Sequence, residues 1–382
     1  MQENRLELFE EQVADELSQR ALLALERYFA AHKERLAELF VQSFEQLCLY
    51  IGGRQQRGLQ GKLGHITYSL LRTELLAGSP LYMAEATDRT WYMDENSCYG
   101  SYDASWAFRD LAGLEQQLLA EARGYFSDSE AALQAEAVRL RTAVQAHRYV
   151  ISLIRYAMPE AAKLKAYREL EKEVECEVRV GEYMDQSETV YKEDFCQKEA
   201  AEVRAYLEQK QELTYTYEVF AELDLAQGDY AGIQALYSDF RGSDLSHSSF
   251  EGAALVGAKL SLSKLTQASF RYTLLCEADF RGSELQGADF SYCSGPSGMR
   301  DPFVWEHPGF VPLRFNGADL SGADFTLANV KGASFIGANL AGAVFEQANI
   351  EQALFSASAR SQAAFSEEQL AQAIWIEEDG GA

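Results

Sequence analysis

The sequence predicts a multi-domain α and β protein: a mainly α-helical N-terminal domain, a coiled β solenoid and a C-terminal capping helix. Three observations predict it. Every fifth residue from Phe240 to Phe290, and again from Phe315 to Phe355, is Leu, Phe, Val or Ile. Two residues before each of these stands Ala, Ser or Thr, with Leu313 the one exception. A period of five fits neither a helix at about 3.6 nor a flat strand at about 2. Upstream, Leu6, Phe9, Val13, Leu17, Leu36, Phe40, Phe44 and Leu47 recur at helical spacing instead.

Taken in order, residues 3–50 read as one long amphipathic helix ended by Gly52 and Gly53. Residues 58–76 read as a second helix. The stretch 78–105 differs: Tyr82, Trp91, Tyr92, Tyr99, Tyr102 and Trp106 crowd among Asp88, Asp94, Glu95 and Asp103 with little helical period. It is expected to be an ordered loop or short strands. Helix returns near 106–125. Ser127 and Glu130 form a capping-box pattern that opens a helix to about Met158, closed by Pro159. Residues 160–176 look helical, 178–183 reads as a short strand and 194–225 as helix, before a turn at Gln227-Gly228-Asp229. Repeats are clear from about 238. Ser366 and Gln369 open a last amphipathic helix. The domains are set at 1–233, 234–360 and 361–382, with a loop at 291–314.

Alternation explains the repeat. Positions two apart in an extended segment share a face, so the large residue and the small one both point inward. The expected core is Phe240, Leu245, Phe250, Leu255, Leu260, Leu265, Phe270, Leu275, Phe280, Leu285, Phe290, Phe315, Leu320, Phe325, Val330, Phe335, Leu340, Phe345, Ile350 and Phe355. The other three positions of each unit are mostly polar and face water. Gly frequently follows two after the large residue, as at Gly282 and Gly317, and permits the chain to bend.

Units such as ADF at 288–290, ADL at 318–320 and ANL at 338–340 resemble the pentapeptide-repeat family. That resemblance implies a right-handed parallel β-helix with four units to a square turn, so twenty units make about five turns, on the order of 24 Å long at strand spacing. Open solenoid ends expose strand edges and need caps. The helical domain is expected to cover one end. The 366–376 helix is expected to cover the other, burying Leu370, Ala373, Ile374 or Trp375.

Composition bounds the function. Net charge is −25 and both halves are acidic: residues 238–382 carry 18 acids and 9 bases, the rest 41 and 25. This argues against direct nucleic-acid contact, which needs a basic face. Cys48, Cys98, Cys176, Cys196, Cys276 and Cys293 form no C-x-x-C pair and suit a reducing cytoplasm. No signal peptide or membrane-spanning run is read. The five histidines are isolated from one another, no metal-ligand, phosphate-loop or nucleophile-elbow motif is present, and no cofactor is expected.

Two candidate sites remain. The insertion holds four of the six prolines together with Arg300, Phe303, Trp305, His307 and Phe310, a composition suited to contacting a protein partner. Its plainer reading is a loop that covers one solenoid face with its own aromatics. The second candidate is a pocket formed by Tyr82, Trp91, Tyr92, Asp94, Asp103 and Trp106. The tripeptide Tyr-Met-Asp occurs at 92–94 and again at 183–185, which would suit a duplicated wall of one site. The plainer reading is core aromatics paired with nearby acids. The function expected first is a non-enzymatic protein-interaction or scaffold protein, with a homodimer through the C-terminal helix as one form of it. The family resemblance also implies a DNA mimic that binds DNA gyrase or topoisomerase. However, residues twenty apart mix charge signs, as in Asp239, Lys259, Asp279 and Asp244, Lys264, Glu284. A third reading is small-molecule binding or catalysis in the N-terminal domain.

Overall fold

The computed structural model describes residues 2–298, 305 and 311–377. The chain forms two compact units, residues 2–195 with Trp305, and residues 196–298 with 311–377. The boundary lies at 195/196 and not at 233/234, because the coil begins before its small-residue signature does.

In unit 1, α1 (Gln2–Phe9) passes through a π-helical turn, Glu10–Ala14, into α2 (Asp15–Gln56). The residues expected as helix over 58–76 and 160–176 instead contribute strands. β1 (Leu63–Leu70), β2 (Leu81–Thr87), β3 (Cys98–Asp103), β4 (Lys172–Glu182) and β5 (Ser187–Asp194) form one sheet in the order β3-β2-β1-β4-β5. β1 and β4 run parallel and the other neighbours antiparallel. Short helices α3 (Arg72–Leu76), α4 (Ser105–Phe108) and α7 (Lys165–Arg168) lie between the strands. The physical reason is alternation: Ile66, Tyr68 and Leu70 on β1, and Cys176, Val178 and Val180 on β4, place buried apolar side chains at every second position, with Thr67 and Ser69 buried on the other face of β1. Short apolar runs satisfy either period, and the sheet decides between them.

That buried face packs on α2, where the Phe40 ring lies 5.4 Å from Tyr68 and 5.3 Å from Tyr102. The layer is completed by α5 (Leu111–Ala122) and α6 (Asp128–Ala161). The Ser127 and Glu130 box opens α6, but the helix continues through Pro159 to Ala161. So near the C-terminus the proline forfeits a single ladder bond, and buried Ala157, Met158 and Ala161 hold the last turn.

Unit 2 opens with α8 (Ala200–Leu207), much shorter than the helix expected over 194–225. Val203 and Leu207 join the core of the coil, so its first cap is this helix. The coil advances by parallel bridges twenty residues apart, from Val219–Asp239 onward, and by thirty-five across the insertion, as in Asp279–Arg314. Each turn therefore holds four five-residue units. Most contacts are isolated bridges; the longer pairings are β6 (Ser334–Phe335), β7 (Leu354–Ser356) and β8 (Ile374–Ile376), parallel throughout.

All twenty inward residues are buried. Phe220, Leu225, Tyr230 and Ala235 extend the same phase upstream. The positions two before them are Glu218, Leu223, Gly228 and Ile233, none of them the Ala, Ser or Thr that marks the later units. Two aromatic rows run along the axis. Phe270–Phe290, Phe290–Phe325 and Phe325–Phe345 stack at 4.8, 4.8 and 4.9 Å, and Phe315–Phe335 and Phe335–Phe355 at 5.0 and 4.7 Å. The rows meet edge to face, as at Phe335 and Phe345. Leu313, the exception at the small position, has a reason. Gly295 stands where the row of Leu255 and Leu275 calls for a large residue, and a Cβ there would lie 2.7 Å from Leu313 Cδ2. Leu313 fills the space that Gly295 leaves.

The bend two residues after each large residue takes positive φ, at Gly282 and also at Tyr272 and Tyr292. The far end is capped as expected in outline. The helix α9 (Glu367–Gln372) is shorter than predicted and gives way to β8. Ala373 is buried and Trp375 stacks on Phe355 at 5.2 Å, whereas Leu370 and Ile374 remain exposed. Gln369 completes the cap, its Nε2 donating to the Phe345 and Ala348 carbonyls.

Candidate functional site

Trp305 does not present a free anchor to a partner. It belongs to unit 1, is 8% exposed, and donates its Nε1–H to the Tyr149 hydroxyl at 2.7 Å. Its backbone N–H donates to Gln19 Oε1 at 2.8 Å. Tyr149 in turn donates to the Glu26 carboxylate, and burial together with that charge pushes its hydroxyl well above the usual tyrosine range. The indole thus completes a buried polar chain between α2 and α6. The reading of Trp305 as a surface anchor is corrected: its indole is buried and hydrogen-bonded within unit 1. Arg300, Phe303, His307 and Phe310 lie outside the described residues.

The six residues read as a pocket are dispersed. Tyr82 is buried on β2 with its hydroxyl against His147 Nδ1. Burial lowers His147 from 6.5 to about 4, so the ring is neutral at pH 7. Trp106 is buried on α4 and donates to the Tyr102 hydroxyl at 3.2 Å. Tyr92 is exposed, and Asp103 is an exposed turn acceptor for the Ser105 N–H. Asp94 accepts from the Asp88 and Asn96 backbone N–H groups, which fixes the turn after β2. Trp91 stacks between His65 at 4.9 Å and Tyr92 at 4.8 Å, with the Arg179 guanidinium 4.8 Å from its centroid. The two Tyr-Met-Asp segments do not share a wall. Thr87, which leads to the first, pairs with His65, and Glu182, which leads to the second, pairs with Leu70. They lie at opposite ends of β1.

The exposed structure worth reading is on the coil. The Tyr272 and Tyr292 rings stack at 4.8 Å on successive turns, and Leu327 occupies the same position one turn further on. Their exposures are 51%, 42% and 41%, and Leu274 beside them is 49% exposed. Arg271 lies 5.5 and 5.6 Å from the two ring centroids. It is held there by Asp289 at 3.2 Å and the Ser291 hydroxyl at 2.8 Å. Two aromatic rings and two leucines beside a fixed cation form an amphipathic strip on a rigid backbone. Other outer rows mix charge. Asp239, Lys259, Asp279 and Arg314 align, as do Asp244, Lys264, Glu284 and Asp319. Asp279 is further paired with Arg281 at 2.8 Å and Arg314 at 3.3 Å. Among the described residues there is no group of His, Cys, Asp and Glu able to hold a metal ion, and no helix long and apolar enough to cross a membrane.

Residues 235–261, 259–294 and 314–356 match the family model for pentapeptide repeats, in eight copies. No curated protein matches the sequence. Solved structures similar to this chain include a pentapeptide repeat protein of the Arabidopsis thaliana thylakoid lumen, at 22% identity and a TM-score of 0.20 over 29% of this chain and 64% of that one. Another is QnrB1, a plasmid-mediated fluoroquinolone resistance protein, at 17% identity and 0.26 over 44% and 86%. A third is HetL, involved in heterocyst differentiation regulation in the cyanobacterium Nostoc sp. strain PCC 7120, at 19% identity and 0.17 over 48% and 99%.

Proposed function

We infer that this chain, whose C-terminal region is a pentapeptide-repeat array, is a non-enzymatic interaction protein that meets a protein partner through the outside of its coil. We read the coil as a right-handed parallel β-helix, a reading supported by four units per turn and parallel bridges between turns. The observation that carries the function is the strip of Tyr272, Tyr292 and Leu327. The inward positions are packed with large side chains, so binding energy is available on the outer surface. The strip combines aromatic area with a cation already held in place, which lowers the entropy lost on binding. The six cysteines, which form no C-x-x-C pair, support a cytoplasmic setting.

Capture from cells of the source organism, with the wild type and a Tyr272→Ser/Tyr292→Ser variant side by side, tests this. Both substitutions are at exposed positions, and the variant is expected to keep its melting temperature and lose its specific partner. An identical set of partners for the two proteins would refute the strip. The alternative, a duplex mimic that modulates DNA gyrase or topoisomerase, rests on the net charge of −25. The alternating rows of Asp and Lys weigh against it, since no continuous phosphate-like stripe results. Micromolar protein that neither inhibits nor protects gyrase supercoiling ends that reading. Self-association is a further form of partner binding, supported by the exposed Ile374 and Ile376 on β8. Sedimentation of the wild type against Ile374→Lys measures it.

A further inference from the structure

A groove of about 500 Å³ opens on unit 1. Tyr28, Pro80, Trp106, Phe108, Arg109 and Arg139 are among its lining residues. Its charged lining residues are both arginines, in a chain whose net charge is −25.

Arg139, on α6, is 7% exposed. A guanidinium carries five N–H donors. Here Nη1 reaches the Leu75 carbonyl only at 3.5 Å, and Nε lies 3.1 Å from the Glu115 carboxylate without making a hydrogen bond. A buried cation with donors left over is costly unless another group takes them up. Arg109 differs: its side chain is 47% exposed, with Nε 3.6 Å from Asp110 and its guanidinium 4.3 Å from the Tyr28 centroid.

We propose that this groove binds a small organic acid, with its carboxylate against Arg139 and Arg109 and its apolar body along Trp106, Phe108 and Pro80. The planar fork of a guanidinium matches a carboxylate in two parallel hydrogen bonds. Glu115 stands beside Arg139 and Asp110 beside Arg109, which disfavours a phosphate dianion relative to a monoanion. Aromatic and aliphatic walls select a hydrocarbon or aryl body, and the volume lies within the ~300–1,000 Å³ of ordinary small-molecule sites. Nothing in this proposal calls for chemistry on the ligand; the site holds it.

Isothermal titration of the full chain with octanoate and 3-phenylpropionate, against octanamide, 3-phenylpropionamide and inorganic phosphate, tests the assignment. At least one acid is expected to saturate a single site and to raise the melting temperature, while its amide and phosphate do neither. Arg109→Gln alters an exposed side chain and is expected to weaken that acid about tenfold, the loss of one charge-assisted contact. Ala112→Trp fills the groove from an exposed position on its lining and is expected to abolish binding with the fold retained, as read by circular dichroism. The proposal is overturned if neither acid saturates, if an amide or phosphate binds as tightly as the acid, or if both variants bind like the wild type.

Discussion

The two units solve the same problem, burying apolar surface, in opposite ways. Unit 2 repeats one local solution: each large residue meets the residues one turn before and after it, and each small neighbour makes room. Unit 1 uses unlike pieces. Its sheet is stitched from strands far apart in sequence, β1 pairing in parallel with β4 more than a hundred residues on. Its core also hides polar chemistry, including His147 against Tyr82 and Trp305 against Tyr149. A periodic core is additive and locally repairable; an aperiodic one depends on single contacts.

The strongest way to break the comparison is Phe335→Asp. Phe335 is fully buried and stacked between Phe315 and Phe355. An unpaired carboxylate there costs roughly 5 kcal/mol or more. Hydrogen exchange is expected to show protection lost over the turns around 335 and retained in β1–β5. Protection lost equally in both units would show that they unfold as one.

Acid separates the units next. The unfolded chain protonates His147 from about 6.5 downward, whereas the folded unit resists protonation until about 4. Unit 1 therefore loses stability as pH falls through that window, by up to about 3 kcal/mol. Unit 2 follows the other sign. Burial alone would raise the Asp239 carboxyl, but the Arg241 hydrogen bond and the charges of Lys259 and Arg241 outweigh it and hold it below 3.8. That contribution is full above 3.8 and lost only at lower pH. Calorimetry between pH 7 and 4.5 is expected to move the unit 1 transition down and leave that of unit 2 in place. His147→Gln is expected to remove most of the shift.

The smallest test sharpens the idea of a repairable repeat. Ser283 occupies a small inward position and donates to the Leu260 carbonyl at 2.6 Å. Ser263 and Thr273 do the same for Phe240 and Phe250. Ser283→Ala, the residue most units already carry there, is expected to cost about 1 kcal/mol in chemical denaturation. A loss above about 3 kcal/mol would mean that the hydroxyls act as a network and not singly.

The coil was legible because its rule is local: a residue's place is fixed by its neighbours at five and at twenty. Where the rule lapsed, so did the reading. Phe220, Leu225 and Tyr230 keep the large residue but not the Ala, Ser or Thr two before it, and up to residue 225 the sequence reads as helix. In unit 1 the long helices were legible from their apolar stripes. β1 was not, because Ile66, Tyr68 and Leu70 make too short a run to declare a period, while β2, β3 and the end of β4 fall where short strands are expected. The candidate sites fared accordingly. Trp305 carried the composition of a surface anchor, yet its hydrogen-bonding partners sit on helices whose packing no local pattern reveals. The Tyr272 and Tyr292 pair was there to be found, since residues twenty apart stack. Its signal was two aromatics twenty residues apart at a position that is mostly Gly or polar.

Ser294 and Arg314 lie in successive units although twenty residues separate them, and the ladder resumes unchanged at Asp279–Arg314 and Glu284–Asp319. Phe290 hands directly to Phe325 and Phe280 to Phe315, as though the detour were not there. The spindle thus has a seam at which its thread can be cut and rejoined. The entropy cost of loop closure grows only slowly with length, so the thread of the coil sets no tight bound on the size of what is inserted at this seam.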